Sequence, residues 1–335
     1  MTASKWADRK TEASKSLLQQ GSEALRSNNI DLARAALTEA AIVLDMVSQE
    51  SREVLELRAQ AFNELGVVHQ RGGDLETARN FHHQAAQLCD KLVDDGLANF
   101  RGNAAATHLN LSNICAAMND AEAAVSAVNR AKEIADALLE EGEEAIKTMR
   151  VAIYLTVATL EASLEHYDVA NEAMTEALSG AREVIEAGNQ GLYVQAVQGC
   201  QQLSVIFFQN EKFDDALRWG KEAEELSEQA FENLGQEVVS MYVVSQINLI
   251  SYNEKLSNFA DAEDSLWKAI ELVGNDPRLL ERGQNFYEHC RKQADSRLEE
   301  GNLPREEVEQ GYEDILERIE EIGGLPEADE ETAQA

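Results

Sequence analysis

Apolar residues recur at spacings of three and four along almost the whole chain, which is the pattern of helices with one buried face. No stretch alternates apolar and polar residues for long enough to indicate a strand. The three prolines, Pro277, Pro304 and Pro326, lie near the C-terminus, so proline geometry ends no helix before residue 277. The pattern therefore predicts an all-α protein.

A longer period runs through these helices. An alanine recurs every 45 or 46 residues, and a second alanine follows each of them seven positions later. The pairs are Ala33 and Ala40, Ala78 and Ala85, Ala124 and Ala131, Ala170 and Ala177, Ala216 and Ala223, and Ala262 and Ala269. Twelve positions before each pair, a residue that is small in five cases of six occurs at Gly21, Gly66, Ser112, Ala158, Ser204 and Ile250. Because antiparallel helices approach closely only where side chains are small, each period is predicted to be a helical hairpin that stacks on its neighbours.

The hairpin turns are predicted where polar residues separate the two helices of each period. We expect them near Asn28, Gly73, Asn119, His166, Lys212 and Asn258. An Asn or Asp just before the second helix can cap it by accepting hydrogen bonds from its free backbone N–H groups. One further step of 46 residues reaches Val308 and Ile315, with Ser296 upstream, which indicates a degenerate seventh unit.

This pattern resembles the tetratricopeptide repeat (TPR). The residues that carry the resemblance in the second unit are Phe62, Leu65, Gly66, Gly73, Asp74, Ala78 and Ala85. Each unit is about twelve residues longer than the usual repeat of ~34 and lacks its terminal proline. Lengthened repeats of this kind look like those of kinesin light chains and of peptide-sensing bacterial regulators. The resemblance implies a right-handed superhelical α-solenoid in which the first helices of the hairpins line a concave groove.

Four segments are predicted from this register. Residues 1–13 form an N-terminal segment, and residues 14–276 form six TPR-like repeats. Residues 277–322 form the degenerate seventh repeat as a pair of capping helices, with Pro277 and Pro304 at helix starts, where a missing N–H group costs nothing. Residues 323–335 form an acidic, disordered tail.

Charge and composition narrow the choice of partner and compartment. The net charge of −33, from 62 acidic and 29 basic residues, disfavours nucleic acid and anionic membranes, because both would be repelled. Solvated helix faces account for this acidity, and a salt-adapted organism is an alternative source of it. No signal-peptide pattern and no membrane-spanning run is present, and the four cysteines form no CxxC pair. These features favour a cytoplasmic protein with reduced thiols.

The stretch ELGVVHQRGGDLETARNFHHQAA, from Glu64 to Ala86, allows two chemical interpretations besides a hairpin joint. A phosphate loop needs the spacing GxxxxGK[ST] or GxGxxG, and neither occurs. A metal site needs three or four converging ligands, and the nearest set in sequence is His69, His82, Cys89, His108 and Cys115. In the repeat register, however, His69 and His82 occupy facing, packed positions. We therefore expect a hairpin joint with no metal, no cofactor and no catalytic motif such as GxSxG or HExxH.

The resemblance also implies which positions of each first helix meet a ligand. In this sequence those positions are nearly uncharged and rich in amides and small apolar residues. The expected partner-binding residues are Asn63, Gln70, Arg71, Leu109, Asn113, Leu155, Thr159, Gln198, Gln201, Phe208, Gln209 and Ile247. Amides can satisfy the backbone of a bound peptide, and apolar residues can receive its side chains. The alternative is that the small apolar positions only pack adjacent first helices together.

Three function classes follow from these observations. The leading class is a non-catalytic adaptor or scaffold that holds a partner protein in the groove. That partner is an extended peptide, a helix or, by the kinesin-light-chain resemblance, a cytoskeletal filament subunit. The second class is a peptide-sensing TPR regulator, although the short segment before the first unit leaves little room for an output domain. The third and most remote class is an enzyme or metal-binding protein.

Overall fold

The computed structural model describes residues 3–47 and 51–326, and this part of the chain consists of helices joined by short turns, without a β-strand. The α-helices are α1 Ala3–Arg26, α2 Ile30–Asp45, α3 Arg52–Arg71, α4 Leu75–Asp94, α5 Arg101–Ala117, α6 Ala121–Glu140, α7 Lys147–Ser163, α8 Tyr167–Glu186, α9 Leu192–Gln209, α10 Phe213–Leu234, α11 Val239–Leu256, α12 Phe259–Val273, α13 Pro277–Arg291, α14 Asp295–Glu300 and α15 Arg305–Glu321. Short 3-10 helices occur at Ala98–Phe100, Glu144–Ile146 and Gly235–Val238. The predicted all-α class is confirmed.

The chain divides between Gly180 and Ala181, within α8, into two compact units. Unit 1 contains the hairpins α1/α2, α3/α4 and α5/α6, followed by α7 and most of α8. Unit 2 contains the hairpins α9/α10 and α11/α12, followed by α13, α14 and α15. None of the described helices combines the length and the apolarity that crossing a membrane requires.

The hairpin turns occupy residues 27–29, 72–74, 118–120, 164–166, 210–212 and 257–258, and each contains the residue predicted for it. Asn29, Asp74 and Asp120 cap the following helices by accepting backbone N–H bonds. Asn258 does not cap α12, and its side-chain amide donates instead to Asn253 Oδ1. In every turn one residue has a left-handed backbone, with φ between 57° and 79°: Asn28, Gly73, Asn119, Glu165, Glu211 and Ser257. Gly96 and Gly142 take the same kind of conformation between hairpins.

The left-handed glutamate at position 211 should cost stability, because an L side chain is strained there by roughly 1–2 kcal/mol. Glycine removes that strain but adds conformational entropy to the unfolded chain. We expect Glu211→Gly to raise the free energy of unfolding by about 0.5–1 kcal/mol in urea titrations. The control Glu172→Gly, within α8, should lower it by about 1 kcal/mol. Loss of stability in both variants would contradict the turn assignment.

The periodic small residues lie where the helices cross. All twelve alanines of the period are buried, with at most 1% of their surface exposed. Glycine is required at positions 21 and 66 because the two helices of the hairpin approach closely there. A Cβ on Gly21 would lie 2.6 Å from Leu37, and a Cβ on Gly66 would lie 2.6 Å from the His82 ring. In unit 2, Tyr252 of α11 fills the space beside two small residues. Its hydroxyl donates to Ser204 Oγ at 3.0 Å, and a Cβ on Gly220 would lie 3.0 Å from its ring.

The C-terminal helices depart from the period. Val308 and Ile315 are fully buried in the predicted register, but Ser296 is exposed on α14. Helix α13 ends at Arg291, and Ser296 belongs to the separate short helix α14. The helix that packs against α15 is therefore α13, not the helix that carries Ser296. There Tyr287 is buried against Gly311, whose lack of a Cβ leaves room for the tyrosine hydroxyl.

A helix begins at residue 277, where the seventh unit was predicted to begin, but no helix boundary falls at residue 13. From Ala3 onward, residues of the predicted N-terminal segment belong to α1, which continues into the first hairpin. Pro277 is the first residue of α13, and Pro304 immediately precedes α15. Residues 327–335 of the predicted acidic tail lie outside the described residues.

Candidate functional site

Neighbouring first helices of unit 1 are joined by side-chain hydrogen bonds. Ser22 of α1 donates to the Glu64 carboxylate of α3 at 2.7 Å. Asn110 of α5 donates to Asn63 Oδ1 of α3 at 3.0 Å. Arg71, at the end of α3, donates to the backbone carbonyl of Leu25 at 3.1 Å. These bonds align α1, α3 and α5, and they engage two residues, Asn63 and Arg71, that were predicted to meet a ligand.

Asn63 also holds a buried histidine. His82 is fully buried, and burial lowers its pKa from 6.5 to about 4, so the ring is neutral near pH 7. His82 Nδ1 lies 3.1 Å from Asn63 Oδ1, an acceptor, so the neutral ring carries its proton on Nδ1. Because Oδ1 already accepts from two side chains, only the amide N–H groups of Asn63 remain for a ligand.

A cavity of about 380 Å³ opens beside Asn63 in unit 1, and we call it the α3–α5 cavity. Its polar lining includes Glu56, Gln60, Asn63, Glu64, Asn103 and Thr107. The partly buried Glu64 carboxylate accepts from Ser22 and from Gln60 Nε2, and it has no basic partner among the described residues. The cavity therefore combines an uncompensated negative charge with amide donors and acceptors.

Cys89 also lines the α3–α5 cavity, at the base formed with α4. Burial raises the pKa of its thiol to about 11, and its Sγ lies 3.8 Å from Thr107 Oγ1. A thiol that stays protonated at neutral pH is a poor nucleophile. Burial likewise raises the pKa of Cys290 to about 12. Neither residue is prepared for covalent chemistry.

A second pocket, of about 420 Å³, lies in unit 2, and we call it the α11–α14 pocket. Its lining residues are Phe208, Ser251, Glu254, Lys255, His289 and Arg297. Phe208, a predicted ligand residue, packs against Phe213 and Tyr252 with ring centroids 5.4 and 5.0 Å apart. This pocket differs from the α3–α5 cavity because most of its charged groups are basic.

The other predicted ligand residues have varied surroundings. Gln201 donates to the Met241 carbonyl at 2.8 Å and to Ser245 Oγ at 2.9 Å, so it joins α9 to α11. Leu155 is only 9% exposed, so it offers little surface to a ligand. Thr159 donates to the Leu155 carbonyl at 3.2 Å. Leu109 and Ile247 are half-buried, and the residues left exposed are Gln70, Asn113, Gln198 and Gln209.

The histidines and cysteines do not form a metal centre within residues 3–47 and 51–326, where no three His, Cys, Asp or Glu side chains could hold an ion. His69 instead lies 3.3 Å from Asp74, and its ring packs on Phe81. His108 lies 3.0 Å from Asp90. The three histidines considered as metal ligands, His69, His82 and His108, are thus each engaged in a local contact.

Sequence reasoning missed several pocket residues. Glu56 and Glu64 lie on the same helix as the predicted Asn63, but their carboxylates were assigned to solvated surface. Arg297 was missed because α14 falls outside the repeat register, and His289 was missed because it lies on α13, in the segment assigned to capping. One available signal was that residues 282–305 contain five basic and four acidic residues, which is nearly balanced in an otherwise acidic chain.

The helical hairpins and their register define a TPR-like helical-repeat protein. Residues 120–320 match the family described as "Family of unknown function (DUF6483)". The match spans more than half of the chain, which belongs to this family. Comparison with the curated proteins gives no match.

Several solved structures are similar to this chain at low sequence identity. The apo form of RapI is 13% identical, with a TM-score of 0.56 over 92% of this chain and 98% of RapI. PilF of Pseudomonas aeruginosa is 14% identical, with a TM-score of 0.49 over 81% of this chain and 97% of PilF. BtubC (BKLC) from P. vanneervenii is 16% identical, with a TM-score of 0.49 over 76% of this chain and 90% of BtubC. The likeness to RapI supports the TPR-like fold.

Proposed function

We propose that the protein is a non-catalytic adaptor or scaffold that binds a segment of a partner protein along its first helices. The α3–α5 cavity carries this proposal, because it presents amides, carboxylates and apolar side chains together on one open surface. Side-chain amides can form hydrogen bonds with the main chain of a bound peptide, and apolar pockets can receive its side chains. The protonated state of the Cys89 thiol supports binding rather than covalent catalysis.

The lining of the α3–α5 cavity favours a basic side chain in the partner segment. Glu64 has no basic partner among the described residues, and Glu56 pairs only with Arg52, at 3.3 Å on the surface. Gln60 and Asn103 flank these carboxylates, and Leu57 and Phe100 add apolar surface. A lysine or arginine of the partner would pair with the carboxylates, while a neighbouring aliphatic residue packs on Leu57 and Phe100.

The partner segment is an extended peptide or a helix of another protein. A cytoskeletal filament subunit is one protein class to test, given the resemblance of the lengthened repeats to kinesin light chains. A peptide-sensing regulator would use the same cavity for a free peptide. Selection from a displayed peptide library on the full chain, followed by partner capture with mass spectrometry, separates these classes by the ligand recovered.

The proposed site can be tested by adding a positive charge to the α3–α5 cavity. Gln60 is exposed within the α3–α5 cavity, and Gln60→Lys should weaken binding of the selected basic peptides at least tenfold, because the new cation repels theirs. Gln87→Lys makes the same charge change at an exposed position of α4, outside the cavity lining. It should leave affinity unchanged. Equal affinities for wild type and Gln60→Lys, or a selection that yields no basic residue, would overturn the proposed site.

A further inference from the structure

Two cations of the α11–α14 pocket lack a carboxylate partner among the described residues, namely Lys255 and Arg297. Both side chains are exposed, in a chain that has 62 acidic and only 29 basic residues. Three other bases of α13 and α15 are paired. Arg282 pairs with Glu254, Arg291 with Glu309 at 3.0 Å and Arg305 with Asp295 at 2.9 Å.

Arg297 is held in place by neutral groups rather than by an acid. Its Nη2 and Nε atoms lie 2.9 and 3.3 Å from Ser257 Oγ, and its Nη1 atom lies 3.1 Å from Gln293 Oε1. These bonds use three of the five guanidinium N–H groups, so two donors remain. The side chain is therefore oriented in advance without losing its charge to an ion pair.

The remaining lining completes a site for an anion with an apolar neighbour. The carboxylate of Glu254 is compensated by Arg282, so it does not cancel Lys255 and Arg297. Ser251 and His289 supply further polar atoms in the same lining. Phe208 offers an aromatic surface beside them, and it is itself supported by Tyr252.

We propose that the α11–α14 pocket binds an oxyanion, a carboxylate or a phosphate, carried by a side chain of a peptide segment whose apolar neighbour packs on Phe208. Arginine matches the two oxygens of such groups with parallel N–H bonds, and lysine adds a point charge. The proposal rests on the proposed adaptor function and adds the chemistry of the ligand in unit 2. The site depends on α14, which supplies Arg297 and has no counterpart in the predicted repeat.

The net charge of −33 opposes the binding of an acidic peptide, because the chain as a whole repels it. At physiological ionic strength the screening length is about 8 Å, so charges beyond the pocket contribute little and the local cations dominate. Binding of an acidic peptide to this acidic protein therefore reports a local site.

The test uses fluorescein-labelled peptides of one sequence with an amidated C-terminus, in which a position between two leucines is glutamate, phosphoserine or glutamine. Fluorescence anisotropy on the full chain should give binding of the glutamate and phosphoserine peptides at least tenfold tighter than of the glutamine peptide. Lys255→Glu should weaken binding of the acidic peptides at least tenfold. The ratio of the phosphoserine to the glutamate affinity identifies which oxyanion the pocket prefers.

Two controls keep the result specific. Arg278→Glu makes the same charge change at an exposed position in the first turn of α13, outside the pocket lining, and should alter affinity less than twofold. Arg297→Gln should also weaken binding, and its thermal unfolding is measured because the Ser257 and Gln293 bonds are lost. Equal binding of the glutamine peptide, or equal losses in Lys255→Glu and Arg278→Glu, would overturn the oxyanion site.

The Gln60→Lys variant separates this inference from the adaptor function. It changes only the α3–α5 cavity and should leave affinity for the acidic peptides unchanged. Loss of basic-peptide binding in Gln60→Lys, together with no effect of Lys255→Glu, would retain the adaptor function and reject the oxyanion site. The opposite pair of results would retain the oxyanion site and reject the α3–α5 site.

Discussion

Replacing Tyr252 with alanine is expected to lower the free energy of unfolding by about 3–5 kcal/mol, the range for truncating a large buried aromatic side chain. The ring is only 2% exposed and fills the space beside Gly220, where no side chain is present to take its place. It also packs on Phe208 at 5.0 Å between ring centroids. Removal leaves a void between α9, α10 and α11 that the rigid helices cannot close. Urea titration followed by circular dichroism measures the loss.

Tyr252→Phe separates the ring from its hydroxyl. The variant keeps the packing but removes the hydrogen bond to Ser204 Oγ, so its cost should be about 1 kcal/mol. Ser204 retains its own bond to the Gln201 carbonyl at 2.8 Å, which limits the penalty. If Tyr252→Ala cost no more than Tyr252→Phe, the ring would not be the element that fills this crossing.

Acidification should destabilise the α3/α4 hairpin through His82, by about 3 kcal/mol when the pH falls from 7 to 4. The pKa of His82 is lowered from 6.5 to about 4 by burial, so the native ring stays neutral while the unfolded ring takes up a proton. The stabilising contribution is fully present above pH 6.5 and is lost progressively as the pH falls toward 4. Urea titrations across this range, on wild type and variants, measure the difference.

The adjacent histidine provides a matched control for this pH dependence. His83 is exposed on the same helix, so His83→Gln should keep the full loss of stability on acidification. His82→Gln has no titrating ring and should lack that component, whatever its stability at pH 7. The same pH dependence in both variants would assign the acid sensitivity to other groups.

The hairpins could be predicted because they depend on contacts that repeat along the sequence. Alanine at a crossing is a local requirement of two helices adjacent in the chain, so its period appears directly in the sequence. The bonds between first helices could not be predicted in this way. The distance from Asn110 to Asn63 depends on how one hairpin stacks on the next, and many polar residues share those helix faces.

The residues that line the two pockets could likewise be predicted only where they occupy repeat positions. Asn63 and Phe208 were predicted to meet a ligand from their repeat positions, and the structure places them in the lining of the α3–α5 cavity and the α11–α14 pocket, respectively. Arg297 was not predicted, because α14 interrupts the period after α13. A break in the repeat thus removed the positional information that had identified the other residues.

Gly66 and His82 fit closely together and lie on the two helices of one hairpin. Recombination within this chain should therefore exchange whole hairpins rather than single helices. A duplication or exchange with ends at Gly96 and Gly142, between hairpins, would carry both members of a crossing together. A junction at a hairpin turn would instead join unmatched helices. In such a chimera, the helix that carries Ser112 could lie opposite the helix that carries His82. The serine Cβ would then overlap the imidazole ring, because only glycine leaves room for that ring at this crossing. Viable chimeras of this family should therefore have their junctions in the loops between hairpins.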